Sequence, residues 1–397
     1  MAKGWRRLLE EESEYQWLAI SLFFAFILVG AFAIHGTGKL SGMDFERNGT
    51  MEGSRILKVH YDSNGGHTVV AHTNDGTYLY QYVDDKLNTI IDPINDNSAS
   101  NITYLTELSN GTMATSSEDN SIIMFSQSTI SNFEISSGLG IFRILDLAVN
   151  IDPDSDTMIA VTDEGFSKSI RGINSNGVPT SPMPNSQDID WESITPIADN
   201  EWIITGIIIS SSTGQGNNPA SPDIKPVMGH VIWTGGVTSP MLNKLYVGTH
   251  GQYHSTIKID DKMIIAGTGQ TTIFDSSDQS LEHLTITSSA AIGVDNGVVW
   301  FFGNIGSESV IKWTHDEQKV IQLQHRLPIE IEAYASSSEI IYMHGTDSND
   351  EPKLLSLDTT SHGSIESGRG FLNFAFLLVF SIGFVVMGWN VLDRMKS

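Results

Sequence analysis

The 397-residue chain contains no cysteine. That absence excludes disulfide staples, thiolate metal sites and cysteine nucleophiles. A folded unit of this size needs no staple, because a large core suffices. Reaction signatures are missing too. There is no G-x-S-x-G, no H-E-x-x-H, no Walker loop and no dinucleotide fingerprint, and the GTGQTT run at 267–272 is only a turn. No long amphipathic helix pattern interrupts the middle of the chain, which disfavours α/β folds. Basic residues are scarce: 22 Lys and Arg stand against 47 Asp and Glu, a formal net charge of −25. Residues 36–369 hold 42 of those acidic residues and 17 of the basic ones. Such a surface repels nucleic acid and anionic headgroups, so nucleic acid is excluded as a partner. The charge serves solubility, or it draws in cations or a basic partner.

Two apolar segments bracket this acidic middle: Trp17–Ile34, WLAISLFFAFILVGAFAI, and Phe371–Leu392, FLNFAFLLVFSIGFVVMGWNVL. Each is long enough to cross a hydrocarbon layer of about 30 Å at about 1.5 Å per helical residue. The expected organisation is a cytoplasmic segment 1–16, a transmembrane helix 17–35, a linker 36–54, a β domain 55–366, a second transmembrane helix 370–392 and a cytoplasmic tail 393–397. Lys3, Arg6, Arg7, Arg394 and Lys396 lie on the terminal sides, against Lys39, Arg47 and Arg369 on the other. The positive-inside rule then places both termini in the cytoplasm and the middle outside it. Ala31-Phe32-Ala33 looks like a signal peptidase site, but Glu10, Glu11, Glu12 and Glu14 are unusual in a signal n-region, so an uncleaved anchor is expected. Gly30, Ala25, Gly383 and Gly388 are small residues that let two spans approach, or that allow dimerisation.

The middle repeats itself. Seven β-type units recur: 68–82, 112–125, 157–170, 201–210 with 229–234, 262–274, 297–313 and 339–357. Each joins two apolar runs through a turn of Asp, Asn, Gly or Ser, residues that tolerate the left-handed backbone of tight hairpins. Before them come shorter runs: RILKVHYD, NITYLTEL, RILDLAVN, ESITPIA, STIKID, AAIGV and IEIEAYA. After most comes a weaker outer run. A period of about 40–50 residues with about four strands per unit is the signature of a propeller. The fold expected is therefore all-β, a seven-bladed β-propeller flanked by two transmembrane helices. A closed ring puts its first and last strands side by side, where two adjacent membrane helices can take up the chain ends.

In its strand pattern the segment from about residue 50 to 366 resembles the WD40-like and YVTN-like propeller superfamily. The Trp-Asp dipeptide is missing, since Trp233 and Trp313 are each followed by Thr, and Gly229-His230 stands without its usual context. Aspartate boxes and paired kelch glycines are also not visible. The resemblance implies a fold and no specific activity.

Few residues stand out as sites. Asp152, Asp154 and Asp156 form D-x-D-x-D, with Asp163 at the twelfth position of such a loop. Alternate carboxylates suit Ca²⁺, but Thr157 stands where the tight-turn glycine belongs, so an acidic hairpin turn is the simpler reading. No other cofactor is indicated. His250 and His254, and His67 and His72, read as structural. Asn48, Asn101 and Asn110 each begin an N-glycosylation sequon. The insertion at 211–225 is rich in Gly, Ser, Asn and Pro and is either a binding element or surface decoration.

The function expected from these features is a non-catalytic, membrane-anchored module that uses an extracytoplasmic propeller to bind a protein or a surface polysaccharide. Two alternatives stay open. One is a solute or cation sensor with its ligand in the central channel. The other is a propeller hydrolase or lyase, which needs carboxylates or histidines clustered at the channel mouth.

Overall fold

In the computed structural model the described residues are 21, 23–28, 30, 39–40, 42–45, 53–61, 66–83, 86–92, 97–108, 110–116, 121–126, 129–136, 142–152, 155, 157–165, 167–184, 188–210, 223–361 and 375–385. The chain divides into two units. One comprises Asp44–Val320 and Arg326–Leu357, and the other comprises Met1–Met43, Ile321–His325 and Asp358–Ser397.

The strands form a seven-bladed propeller, and all but the ends of its sixth and seventh blades lie in the larger unit. Its blades, numbered I to VII here, occupy residues 55–91, 105–134, 143–173, 190–247, 253–284, 290–323 and 330–358. Within each blade the strands run antiparallel in simple up-and-down order. The innermost strands are Arg55–Tyr61, Leu105–Glu107, Arg143–Val149, Asp190–Ala198, Tyr253–Ile259, Ala290–Val294 and Glu330–Ser337. These are the seven short runs that precede each unit in the sequence. Inner strands of blades I and II, III and IV, V and VI, and VI and VII pack on one another, and the last, Glu330–Ser337, packs against the first, Arg55–Tyr61.

The turn chemistry follows from the residues. Asn200, Asp260, Gly297 and Ser338 hold positive φ in the tight turns between first and second strands, where only glycine or a short polar side chain adopts that geometry at low cost. Other turns use a side-chain oxygen instead, between second and third strands in blades III and VII and between third and fourth strands in blade V. Asp163 accepts from Gly165 N at 2.8 Å, Asp275 from Ser277 N at 3.0 Å and Asp347 from Asn349 N at 2.8 Å. Three blades thus use the same Asx device, two of them at the same turn.

Apolar faces of adjacent blades stack to form the core, as twisted sheets must. The layer between blades III and IV is the bulkiest, with Trp191, Trp202 and Trp233 against Ile159, Val161 and Ile170. The layer joining blades VII and I is the thinnest described, with Ile56, Val69, Ala71 and Ala333 at its centre. It is completed by a ladder of stacked rings, Tyr342 on Tyr61, Tyr61 on His67 and His67 on Tyr82, at centroid spacings of 5.2, 5.1 and 4.8 Å.

Two details depart from the repeat. Blade III has three strands, and its outer edge is completed by irregular chain in which Thr180 N donates to Gly172 O and Met183 N to Ile170 O. The segment expected as a linker supplies two short strands, each paired with a blade strand far along the chain. Met43–Phe45 lies outermost in the blade VII sheet beside Pro352–Asp358. Lys39–Leu40 pairs in parallel with Gln322 and Leu323.

In the smaller unit, the residues near both chain ends meet. Asp358 N donates to Gly42 O at 2.9 Å, and Gln324 N to Leu40 O at 3.0 Å. Helical residues 21–30, apart from 22 and 29, pack on helical residues 375–385. Phe23 stacks on Phe380 at 5.6 Å and Phe26 on Phe376 at 5.7 Å, so the two helices run antiparallel. Gly30 lies against the Phe376 ring and Gly383 against the Phe23 ring, where any Cβ would collide. Among the described residues, no helix is long and apolar enough to cross a membrane.

Candidate functional site

The inner strands build the wall of the central channel, and five of the seven share one irregularity. A β-bulge interrupts the pairing with the second strand at Leu57, Leu145, Glu192, His254 and Glu332. Bulges re-aim side chains, because two residues on one strand then face a single partner residue. In four of the five a polar residue follows the bulged position: Lys58, Asp146, Ser193 and Ser255.

Asp146 is the most perturbed carboxyl of this wall. Burial pushes its pKa up to about 6, against the pull of backbone N–H donors from Ile194 and Leu147 and of the Lys58 charge. Those two donors lie at 2.8 Å and 3.0 Å. The neighbouring Tyr104 hydroxyl is pushed well up by burial and then by Asp146. Glu192, on the next inner strand, is also raised by burial. Across the ring, Arg55 forms a two-pronged pair with Glu332, both contacts at 2.7 Å. His60 Nε2 is buried and lies 3.5 Å from Glu107 Oε2, an ion-pair distance longer than an ordinary hydrogen bond.

A hydrogen-bonded chain links three residues from blades V and VII. His254 Nε2 lies 2.8 Å from Ser288 O, and His254 Nδ1 lies 2.7 Å from Ser255 Oγ. A carbonyl only accepts, so Nε2 carries the proton and Nδ1 presents a lone pair. Burial lowers the His254 pKa, which favours this neutral form. Ser255 therefore donates to His254, and the Tyr334 hydroxyl, which also bonds Ser255 Oγ, is the donor of that contact. Ala291 N adds a third bond to Ser255 Oγ at 3.3 Å. The bulge makes this possible: successive residues of a regular strand point to opposite faces and could not touch so closely. The serine oxygen holds a full complement of partners, so the arrangement is a locked network in the resting protein and not a bare nucleophile.

The singled-out residues distribute as follows. Asp152 accepts Ser155 N through its backbone carbonyl at 3.0 Å, while Asp154 and Asp156 lie outside the described residues. Asp163 caps its own turn, as above, and borders a cleft of about 380 Å³ with Lys168, Asp188 and Asp190. Among the described residues no group of three or more His, Asp or Glu is placed to hold a metal ion. The histidines sit in structural roles. His67 belongs to the ring ladder, His72 Nδ1 meets Thr77 at 3.0 Å and His250 Nδ1 meets Thr249 at 3.0 Å. Asn110 is exposed, and its Oδ1 accepts Thr112 N at 2.9 Å. Asn101 is partly buried, and its carbonyl accepts from Arg143 at 3.0 Å. Asn48 lies outside the described residues, as does 211–222 of the insertion. Tyr334, Asp146 and Glu107 were not singled out by the sequence. Only the inner-strand pattern RILDLAVN, with a lone carboxylate inside an apolar run, gave a signal for Asp146.

No protein-family model matches the chain, and no curated protein matches it in sequence. Solved structures do match in fold. A catalytically inactive variant of virginiamycin B lyase from Staphylococcus aureus, solved with quinupristin, aligns at a TM-score of 0.52 with 13% identity over 79% of this chain and 99% of that one. The WD40 domain of Neurospora crassa Pan2 aligns at 0.50 with 9% identity, over 80% and 94%. The fold is that of a seven-bladed, WD40-like β-propeller. The extracellular domain of a candidate one component system from B. thetaiotaomicron aligns at 0.51 with 10% identity, over 81% of this chain and 44% of that one. At such identities the likeness concerns the fold alone.

Proposed function

We propose that this chain is a membrane-anchored propeller that works outside the cytoplasm and binds a protein partner, without chemistry of its own. The observation that carries the reading is the pairing of the two terminal apolar segments. Gly30 against Phe376 and Gly383 against Phe23 give the close approach that small residues allow between helices in lipid, where packing replaces the hydrophobic drive. Both apolar segments have the length of a span. The bond between Asp358 and Gly42 keeps the strands that lead to them together. Binding in place of catalysis is supported by the way the polar groups of the channel spend their bonds on one another. A surface polysaccharide is the other partner class for the same rim.

The test uses single cysteines at Ser13, Ser212 and Ser397 in the otherwise cysteine-free chain. Intact cells are treated with a membrane-impermeant maleimide. Labelling of the Ser212 site alone is expected. Labelling at Ser13 or Ser397 without Ser212 would put the propeller in the cytoplasm and sink the reading. Photo-cross-linkers on the propeller rim then report whether a discrete protein is held.

A further inference from the structure

We infer that the central channel contains a binding site for a small uncharged polyol, of the size of a monosaccharide or a cyclitol. It lies among blades I, V, VI and VII and encloses about 270 Å³. At about 30 Å³ per water, that is room for some nine water molecules, or for one compact solute. The polar groups of its wall come from His60, Tyr61, Ser255, Thr256, Tyr334 and Ser336, and the rest is aliphatic or backbone. Among the described residues, no lysine, arginine, aspartate or glutamate lines it.

The hydrogen-bond directions set the ligand class. Tyr334 gives its proton to Ser255, and Ser255 gives its own to His254, by the tautomer argument above. Ser336 donates to the Gly293 carbonyl at 2.7 Å. Thr256 is paired with Thr195 at 2.5 Å. The protons of Tyr334 and Ser336 are thus spent inside the protein, while oxygen lone pairs remain on both hydroxyls that border the space. A wall of this kind accepts hydrogen bonds and asks for a ligand that donates several. A charged donor would lose its hydration with no countercharge in the lining to replace it, so an uncharged one is favoured. Hydroxyl groups on a compact ring meet both demands. The carbon face of such a ring fits the aliphatic part of the lining, Val59, Ile257 and Ile292.

Access is present as well. Thr256, Ile257, Gly293 and Ser336 also border a wider space of about 690 Å³, with Lys258, Asp260 and Asp295 around it. Two features hold the site rigid. The Tyr61 ring is stacked between His67 and Tyr342, and the Tyr334 hydroxyl is locked on Ser255. A preorganised wall gives affinity that a flexible one loses in ordering side chains. The inference does not depend on where the protein resides or on whether its rim binds a partner.

The experiment is isothermal titration of the full-length chain in lipid nanodiscs. Glucose and myo-inositol are the neutral probes, and glucosamine and glucuronate are the cationic and anionic counterparts. Saturable binding of at least one neutral probe is expected, with at least tenfold weaker binding of both charged ones. Tyr334→Phe removes the acceptor but keeps the ring, and it should weaken the neutral probe about tenfold, the scale of one hydrogen bond in a dry site. Ser336→Ala should weaken it severalfold and guards against misreading a folding defect at Tyr334. Saturation by neither neutral probe would overturn the inference. So would equal affinity for a charged counterpart, or unchanged binding in both variants.

Discussion

Asp146 and His344 give the propeller two opposed pH responses that mask each other in the native chain. Burial raises the Asp146 carboxyl from 3.8 to about 6. Burial, with the nearby His67 charge, lowers the His344 imidazole from 6.5 to about 4. Each shift of one pKa unit corresponds to about 1.4 kcal/mol. For Asp146 the folded pKa lies above the unfolded one. Its contribution is therefore greatest below pH 3.8 and is lost as pH rises through 6. The loss is about 3 kcal/mol at most, since the residue is only partly buried. For His344 the folded pKa is depressed. Its contribution is complete above pH 6.5 and falls away by about 3 kcal/mol as pH drops to 4. Over that window the two run in opposite directions and nearly cancel. Asp146→Asn removes one of them. The variant should lose stability on acidification more steeply than the parent, so that its difference from the parent changes by up to about 3 kcal/mol between pH 7 and pH 4. With an unfolding entropy of about 2 cal/mol/K per residue over some 300 residues, that is a shift in Tm of about 5 °C. The assay is thermal unfolding of parent, Asp146→Asn and His344→Gln from pH 4 to 7.5. The other shifted groups, such as Glu192 and His230, are common to all three proteins and drop out of the differences. A difference between parent and Asp146→Asn that stays constant across this range would refute the account of the buried carboxyl, whatever its absolute size.

Further expectations concern packing and closure. Trp202→Ala opens the fully buried layer between blades III and IV and should cost about 3–5 kcal/mol in chemical unfolding. Arg55→Ala should cost under about 1 kcal/mol, because the Arg55 side chain is 51% exposed despite its good geometry. A Phe23→Cys, Phe380→Cys pair, at stacked positions 5.6 Å apart, should be joined by a short bis-maleimide in the intact chain, and adding Gly30→Val should suppress that product, since its side chain would meet Phe376. Gly42→Val should speed proteolysis near residue 42, because a Cβ there runs into Ser361 and the Asp358 carbonyl.

The repeat was legible because each blade reuses one local code. An apolar run, a turn residue that tolerates positive φ and a second alternating run are all short-range features, and Gly76, Gly165, Gly306 and Asp350 sit where that code requires. Blade number followed from counting them. The edges were less legible. Lys39–Leu40 and Met43–Phe45 are too short to carry a period of two, and their strand character comes from Gln322, Leu323 and the last strand of blade VII, far along the chain. The outer side of blade III shows the converse case. Its closing chain around Thr180 and Met183 is bonded through backbone donors without regular alternation. The site was hidden for the same reason. Tyr334 meets Ser255 across 79 positions, and no local spacing records that distance.

Even so, one part of the channel wall left a trace in the sequence. In a strand buried on one face, apolar and polar residues alternate, and a bulge slips that alternation by one residue. RILKVHY and RILDLAV both place two apolar residues in succession, Ile56-Leu57 and Ile144-Leu145, and then a charged one, Lys58 or Asp146. Read as regular strands, these runs bury the charge or expose the wrong leucine. Read with a slip at the second apolar residue, the first apolar residue stays in the core, where Ile56 and Ile144 are buried, and the charge leaves that face. Trp191-Glu192-Ser193 and Tyr253-His254-Ser255 carry the same slip with polar residues at the bulge, so there the sequence alone gives no phase error to notice. The slip is therefore detectable only where the bulged residue is apolar. Where it is polar, as at His254, the same backbone device instead brings two successive side chains into hydrogen-bond contact, and it is there that the channel gains its locked serine.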